Sequence, residues 1–176
     1  MEQMKAVTLY QPWASAIAYG LKRLETRPWP LYESMLNRWL LIHAGKKFDR
    51  RLKEMCGHWP YQEVIAEMGY TVSTLPLGMA VARVKVVKCL PTGSIDELSI
   101  LRDYSDSRWE YDLGDYSPGR FAWLMSDIQL PQKNFELSGF QKVWTADLPE
   151  EAQNDDFWIP FQAGMKAKVY VQGALF

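Results

Sequence analysis

The stretch from Leu9 to Trp29, LYQPWASAIAYGLKRLETRPW, constrains this chain more than any other. Ala6 to Tyr10 is short, apolar and β-prone, which predicts a strand leading into it. Pro12 suits the first position of a helix, where its missing N–H costs nothing. From Trp13 to Tyr19 nearly every side chain is apolar or small, so that helix must be buried on most sides. Gly20 ends it in the manner of a C-terminal cap, with Lys22 and Arg23 near the negative end of the dipole. Leu24 to Trp29 then alternates with a period of two: Leu24 and Thr26 face one way, Glu25, Arg27 and Trp29 the other. A carboxylate, a guanidinium and an indole thus share one strand face, with Lys22 just upstream. On an open surface such an ion pair is worth under ~1 kcal/mol. Beside a tryptophan, the same group suits a pocket that stacks a planar ligand.

The rest of the chain supplies a frame. A length of 176 residues can bury a real core and demands no second domain. Trp39 to His43 reads as a buried strand, Lys47 to Met55 as a helix with Phe48, Leu52 and Met55 on one face, and Tyr61 to Met68 as another helix. Gly78 to Cys89 is a long strand by alternation, and Phe121 to Gln129 and Gln141 to Ala146 are further strands. Ile95 to Tyr104 reads as helical, starting from Ser94 with Glu97 in capping-box position. Asp103 to Gly119 is polar, aromatic and turn-rich, which suits a long loop over a site. Glu150 to Asp156 has the character of an acidic linker, and Val169 to Val171 is a candidate last strand. No apolar run approaches the ~20 residues of a membrane span. The start, MEQMK, lacks the features of a signal peptide, and Cys56 and Cys89 sit too far apart to suggest a disulfide framework. A cytoplasmic protein is the expectation.

Charge is distributed unevenly. Residues 1–53 hold ten Lys or Arg against four acids, whereas residues 54–176 hold ten against seventeen. That separation suits a local face for an anionic ligand on a weakly acidic protein. It argues against a broad, sequence-indifferent binder of duplex DNA, which is normally basic overall.

Several chemistries drop out. Gly45-Lys46-Lys47 lacks the spacing of a phosphate loop, although the two lysines could still contact phosphates. His43, Cys56, His58 and Cys89 match no zinc pattern, so no metal is expected, and no cofactor fingerprint appears. His43 closes an apolar strand and reads as a satisfied core histidine. No serine-hydrolase elbow is present. What remains is Lys22, Glu25 and Arg27. A lysine beside a carboxylate can bind phosphate or take part in proton transfer, and Glu25 can serve as a general base.

The pattern Q-P-W-A-x-x-I-x-x-G-x-K-x-x-E-x-R-x-W, Gln11 to Trp29, resembles the opening motif of the ASCH domain family, named for homology with the activating signal cointegrator and related to PUA. Trp39 to Gly45 (WLLIHAG), the Gly78 to Leu90 strand and Ser138 to Trp144 (SGFQKVW) are similar as well. The resemblance implies an α+β fold, a PUA-like β-barrel with flanking helices over residues 1–146, and residues 147–176 as a C-terminal extension packed on the same domain. It also implies a central cleft for nucleic acid or a nucleobase-like ligand. One bacterial branch of the family removes the acyl group of N4-acetylcytidine with a lysine, a threonine three residues later and a distant glutamate. Lys22 matches that lysine, but Glu25 stands at the threonine's place. Thr26 lies one step on, a step that turns a strand residue to the opposite face. The motif is closer to the cointegrator-type branch, for which the resemblance implies nucleic-acid binding.

The reading that follows is a module for single-stranded RNA or DNA. Gln11 and Trp13 belong to its contact motif, Lys22, Arg27, Lys46 and Lys47 engage phosphates, and Trp29 or Trp109 stacks on a base. Binding of that kind falls steeply as salt rises. The alternatives are an enzyme acting on RNA or a modified nucleoside (a ribonuclease or amidohydrolase) with Lys22 and Glu25 as its acid–base pair, and a protein-partner adaptor built on the aromatic loop around Trp109 and Tyr111.

Overall fold

A computed structural model describes residues 2–167. Strand β1 (Gln3–Leu9) runs into helix α1 (Trp13–Ala18), of which Ala14, Ser15, Ala16, Ile17 and Ala18 are all buried. Gly20 then adopts φ +68, a conformation glycine takes at no steric cost, and Phe161 packs where a side chain would stand. β2 (Leu24–Arg27) and β3 (Trp39–Ala44) follow. Asp49 accepts a hydrogen bond from the Leu52 N–H, so α2 (Arg50–Cys56) starts later than Lys47, and α3 (Tyr61–Glu67) comes after the Gly57–Pro60 break. β4 (Met79–Pro91) is the longest strand, at 13 residues. The next helix, α4 (Glu97–Ser99), is capped by Asp96 with Ser99 rather than by Ser94 with Glu97. Ser94 is occupied in closing a tight turn, its hydroxyl donating to the Pro91 carbonyl at 2.9 Å. A single wide turn over Ile100–Tyr104 continues α4, and then come β5 (Phe121–Pro131), β6 (Phe135–Glu136), β7 (Val143–Asp147) and β8 (Trp158–Pro160).

The eight strands of the described residues belong to one sheet of order β2-β5-β4-β3-β1-β7, with β6 on β4 and β8 on β5. β1 and β3 are parallel, and the other ladders among the described residues are antiparallel. The expected α+β character holds. The expected barrel is not closed: β2 and β7 stand at the two ends of the path, and no ladder joins them among the described residues.

The main core lies where α1 packs on β1, β3, β4 and β5 around Ile17, Leu40, Ile42, Val84 and Trp123. Full burial of one such side chain stabilises by roughly 1.5–3 kcal/mol. A second core, around Leu41, Leu148, Ala152 and Trp158, includes the region that reads as an acidic linker. That region is in fact two short turns, Glu150–Gln153 and Asp155–Phe157, in which Ala152 points inward and the acids outward. Val169 to Val171 lies outside the described residues.

Candidate functional site

Strand β2 is the edge of the sheet, and the chain on either side of it, Lys22 to Trp29, forms the floor of a cleft of about 640 Å³. One wall comes from α1 and α3 through Trp13 and Tyr61, a second from residues 112–115, and the mouth from Tyr10 and residues 140–142. Trp13 is fixed by its Nε1–H, which donates to the Leu113 carbonyl at 2.8 Å, and by Tyr61 edge-on at 5.6 Å. Trp29 is half-buried and meets Trp123 edge-on at 4.8 Å.

Behind the floor sits a buried carboxylate. Glu110, fully buried, accepts from the Arg23 N–H at 2.5 Å, the Leu24 N–H at 3.1 Å and the Tyr116 hydroxyl at 3.2 Å, and pairs with Lys22 Nζ at 3.4 Å. Lys22 also donates to the Leu24 carbonyl. A buried charge is tolerable only when paired and hydrogen-bonded, and here both partners are. Burial, and then the neighbouring Glu110 charge, push the Tyr116 phenol well above its ordinary 10.0. The pair therefore ties the 105–120 loop to the start of β2 and fixes the floor.

Glu25 is placed differently. It is 8% exposed and opens on the cleft, yet among the described residues no group donates a hydrogen bond to its carboxylate. Arg27 Nε lies 3.0 Å from Glu25 Oε1, but its N–H is not aimed there and finds no hydrogen-bond partner. Arg27 spends Nη2 on the Thr8 carbonyl at 3.1 Å, and Arg120 spends its own on the Thr26 carbonyl at 3.0 Å. Burial raises the Glu25 carboxyl above its ordinary 4.5, against the opposing pull of Arg27, Lys22 and Arg120 and with a contribution from Glu110. The floor thus presents a carboxylate whose proton affinity is raised, which pairs with Arg27 and which faces the cleft.

The ASCH domain family model matches residues 7–120. This chain belongs to the ASCH domain family. Among solved structures it is similar to a serine-to-alanine variant of ZmASCH from Zymomonas mobilis, at 15% identity and a TM-score of 0.43, with 85% of this chain and 91% of that chain covered. A tyrosine-to-phenylalanine variant of the same protein gives 14% and 0.42, over 85% of this chain and 93% of that one. The ASCH protein of Zymomonas mobilis itself gives 14% and 0.35, over 77% and 87%. No curated protein matches. The family match ends at Arg120, one of the cations that line the cleft.

The structure brings Trp13, Lys22, Glu25, Arg27 and Trp29 to one cleft of the ASCH chain. It places the other sequence candidates elsewhere. Gln11 is fully buried and spent on the fold: its Nε2 donates to Ser15 Oγ at 2.8 Å and the Pro76 carbonyl at 2.9 Å, and its Oε1 accepts from the Ser15 N–H at 3.2 Å. Trp109 is 4% exposed, with its Nε1–H on Glu67 at 2.8 Å and the Arg108 guanidinium 4.3 Å from its ring, so no face is open to a base. Lys46 and Lys47 are exposed and outside the cleft lining; Lys47 lies 3.8 Å from Asp49 and 5.9 Å from the Tyr10 ring centre. The lining holds four cations, Lys22, Arg27, Arg120 and Lys142, against Glu25, Asp112 and Asp115, so the cleft is near charge balance rather than strongly basic. Glu110, Tyr116 and Arg120 are the site residues that sequence reasoning missed. A distant glutamate was implied by the bacterial branch, but no spacing singles out Glu110 among the acids. Among the described residues, no cluster of three His, Cys, Asp or Glu could hold a metal, and no helix is long and apolar enough to cross a membrane.

Proposed function

We propose that this ASCH domain binds single-stranded RNA or DNA by taking one unstacked nucleotide into the cleft. The observation that carries the reading is Glu25, a carboxylate that faces the cleft with no hydrogen bond from the described residues, beside Arg27 in a lining that also holds Trp13 and Trp29. A carboxylate that faces the cleft can accept a hydrogen bond from an N–H of a base edge, a charge-assisted contact. The aromatic walls supply contact for base faces. A volume of about 640 Å³ is on the scale of a small-molecule site and admits one nucleotide, not a duplex. Because the lining is near charge balance, phosphate contacts fall to Lys142 inside the mouth and to Lys46 and Lys47 outside it. The salt dependence is then shallower than that of a groove tracking the backbone.

Fluorescence anisotropy with single-stranded and duplex oligonucleotides at two salt concentrations tests this. Single strands are expected to bind, duplex is not, and Glu25→Gln and Arg27→Ala each weaken binding roughly ten-fold or more, the scale of a charge-assisted hydrogen bond. Equal affinity for duplex, or binding indifferent to both substitutions, would overturn it.

The raised Glu25 carboxyl favours one further reading, an enzyme in which Glu25 moves a proton at a bound nucleotide or modified nucleoside. Lys22, held by Leu24 and Glu110, would then stabilise charge rather than transfer a proton. Its signature is opposite: Glu25→Gln keeps affinity and abolishes turnover, read on a denaturing gel of the same samples. Of the two aromatics named for the adaptor reading, Trp109 is buried and Tyr111 is exposed.

A further inference from the structure

The mouth of the cleft carries chemistry that a nucleotide held at the floor does not use. Phe140 is 63% exposed and Tyr10 47%, and both belong to the cleft lining. An isolated exposed apolar side chain needs no explanation, but two aromatic rings at the rim of one charged cleft form a patch. Phe140 is also held in position. Trp144 packs against its ring at 5.4 Å with 66° between planes, and the Trp144 Nε1–H donates to Thr8 Oγ1 at 3.1 Å. The residue before it, Gly139, lies so close to His43 that a Cβ would stand 2.4 Å from the imidazole. Lys142 follows at φ 60 and reaches the cleft, while Lys47 Nζ sits 5.9 Å from the Tyr10 ring centre. Flat apolar faces beside ammonium groups match the alternation of base and phosphate along a strand.

We infer that Phe140 stacks the base adjacent to the one held in the cleft, so that the ligand is a strand of at least two nucleotides and not a free nucleoside. This rests on the function proposed above. Phe140 lies beyond residues 7–120, the span that the family model matches, and within the Ser138 to Trp144 stretch.

Isothermal titration calorimetry separates the two claims, using the four nucleoside 5′-monophosphates and mixed-sequence single-stranded hexamers of RNA and DNA as probes. The intact protein is expected to bind a hexamer at least roughly ten-fold more tightly than any monophosphate, from one added stacking contact. Phe140→Ala should lower hexamer affinity roughly ten-fold, and Phe140→Tyr, which keeps the flat ring, should preserve it. Phe140→Leu, apolar but not flat, provides the comparison if the alanine variant melts early, and it too should lose the gain. Monophosphates bound as tightly as hexamers would overturn the inference. Hexamer affinity unchanged by loss of the ring would do the same and assign Phe140 to another occupant, such as a protein. No binding of any probe to the intact protein would instead remove the proposed function itself.

Discussion

At the scale of single residues, the two glutamates of the site are opposites. Glu25 faces the cleft without a hydrogen bond from the described residues, whereas Glu110 is saturated by two backbone N–H groups, the Tyr116 hydroxyl and Lys22. Glu110→Gln leaves the buried Lys22 ammonium without its paired carboxylate, and breaking one side of a buried pair costs about 3–5 kcal/mol. A fall in the urea midpoint by that equivalent is expected, with much of it restored in the double variant Lys22→Met/Glu110→Gln. A double variant no more stable than the single one would show that the pair is not the source of the loss. The sequence shows one glutamate and hides the other for a geometric reason. Glu25, Arg27 and Trp29 share a face through the two-residue period of a strand, which is local. Lys22 and Glu110 are separated by 88 residues, and no local pattern spans that distance.

At the scale of elements, the loop between β6 and β7 is held by a relay. His43 Nε2 lies 3.1 Å from the Leu137 carbonyl, which assigns the proton to Nε2 and leaves Nδ1 to accept from Thr8 Oγ1 at 3.2 Å. Burial first, and the Lys46 charge as well, hold the imidazole below its ordinary 6.5 despite the carbonyl contacts. The fold therefore favours neutral His43. Its contribution to stability is fully present above pH 6.5 and is lost as pH falls below that through the lower folded value, because the unfolded chain takes up the proton more readily. Gly139→Ala forces a Cβ to within 2.4 Å of the ring and 2.7 Å of Thr8 Oγ1, an overpacking expected to cost about 1–3 kcal/mol. Thermal melts at pH 7.5 and pH 5.5 check both expectations: Gly139→Ala melts lower at the higher pH, and the gap from the natural chain narrows at the lower one if the substitution breaks the His43 contacts. An unchanging gap would place the cost elsewhere. The long strands β3, β4 and β5 are legible from alternation and apolar runs. β6 and β8, of 2 and 3 residues, are too short to carry a period, and the onset of α4 moves because Ser94 is committed to a turn.

At the scale of the whole molecule, the order of strands is what the sequence withholds. Alternation marks a strand but not its neighbour, so the open path from β2 to β7 and the missing closure had no local signature. The same limit applies to where the folding unit ends. Acidic residues 150–156 look detachable because Glu150, Glu151, Asp155 and Asp156 dominate the composition, yet Leu148, Ala152 and Trp158 between and beside them are 2%, 2% and 4% exposed. β8 pairs with β5, Asp155 meets the mostly buried Arg83 at 2.7 Å, and Phe161 fills the space against Gly20 at the end of α1. Removing everything after Asp147 therefore uncovers the second core, strips Arg83 of its counter-charge and opens a gap beside the helix that leads into Lys22. Burial of Trp158 and Leu148 alone accounts for roughly 3–6 kcal/mol, a large share of an ordinary domain's net stability. A chain of residues 1–147 is expected to accumulate in the insoluble fraction or to lack a cooperative melt by circular dichroism. A soluble 1–147 fragment that melts cooperatively near the full chain's temperature would mean that β8 and its turns are an appendage, and that the floor of the cleft stands without them.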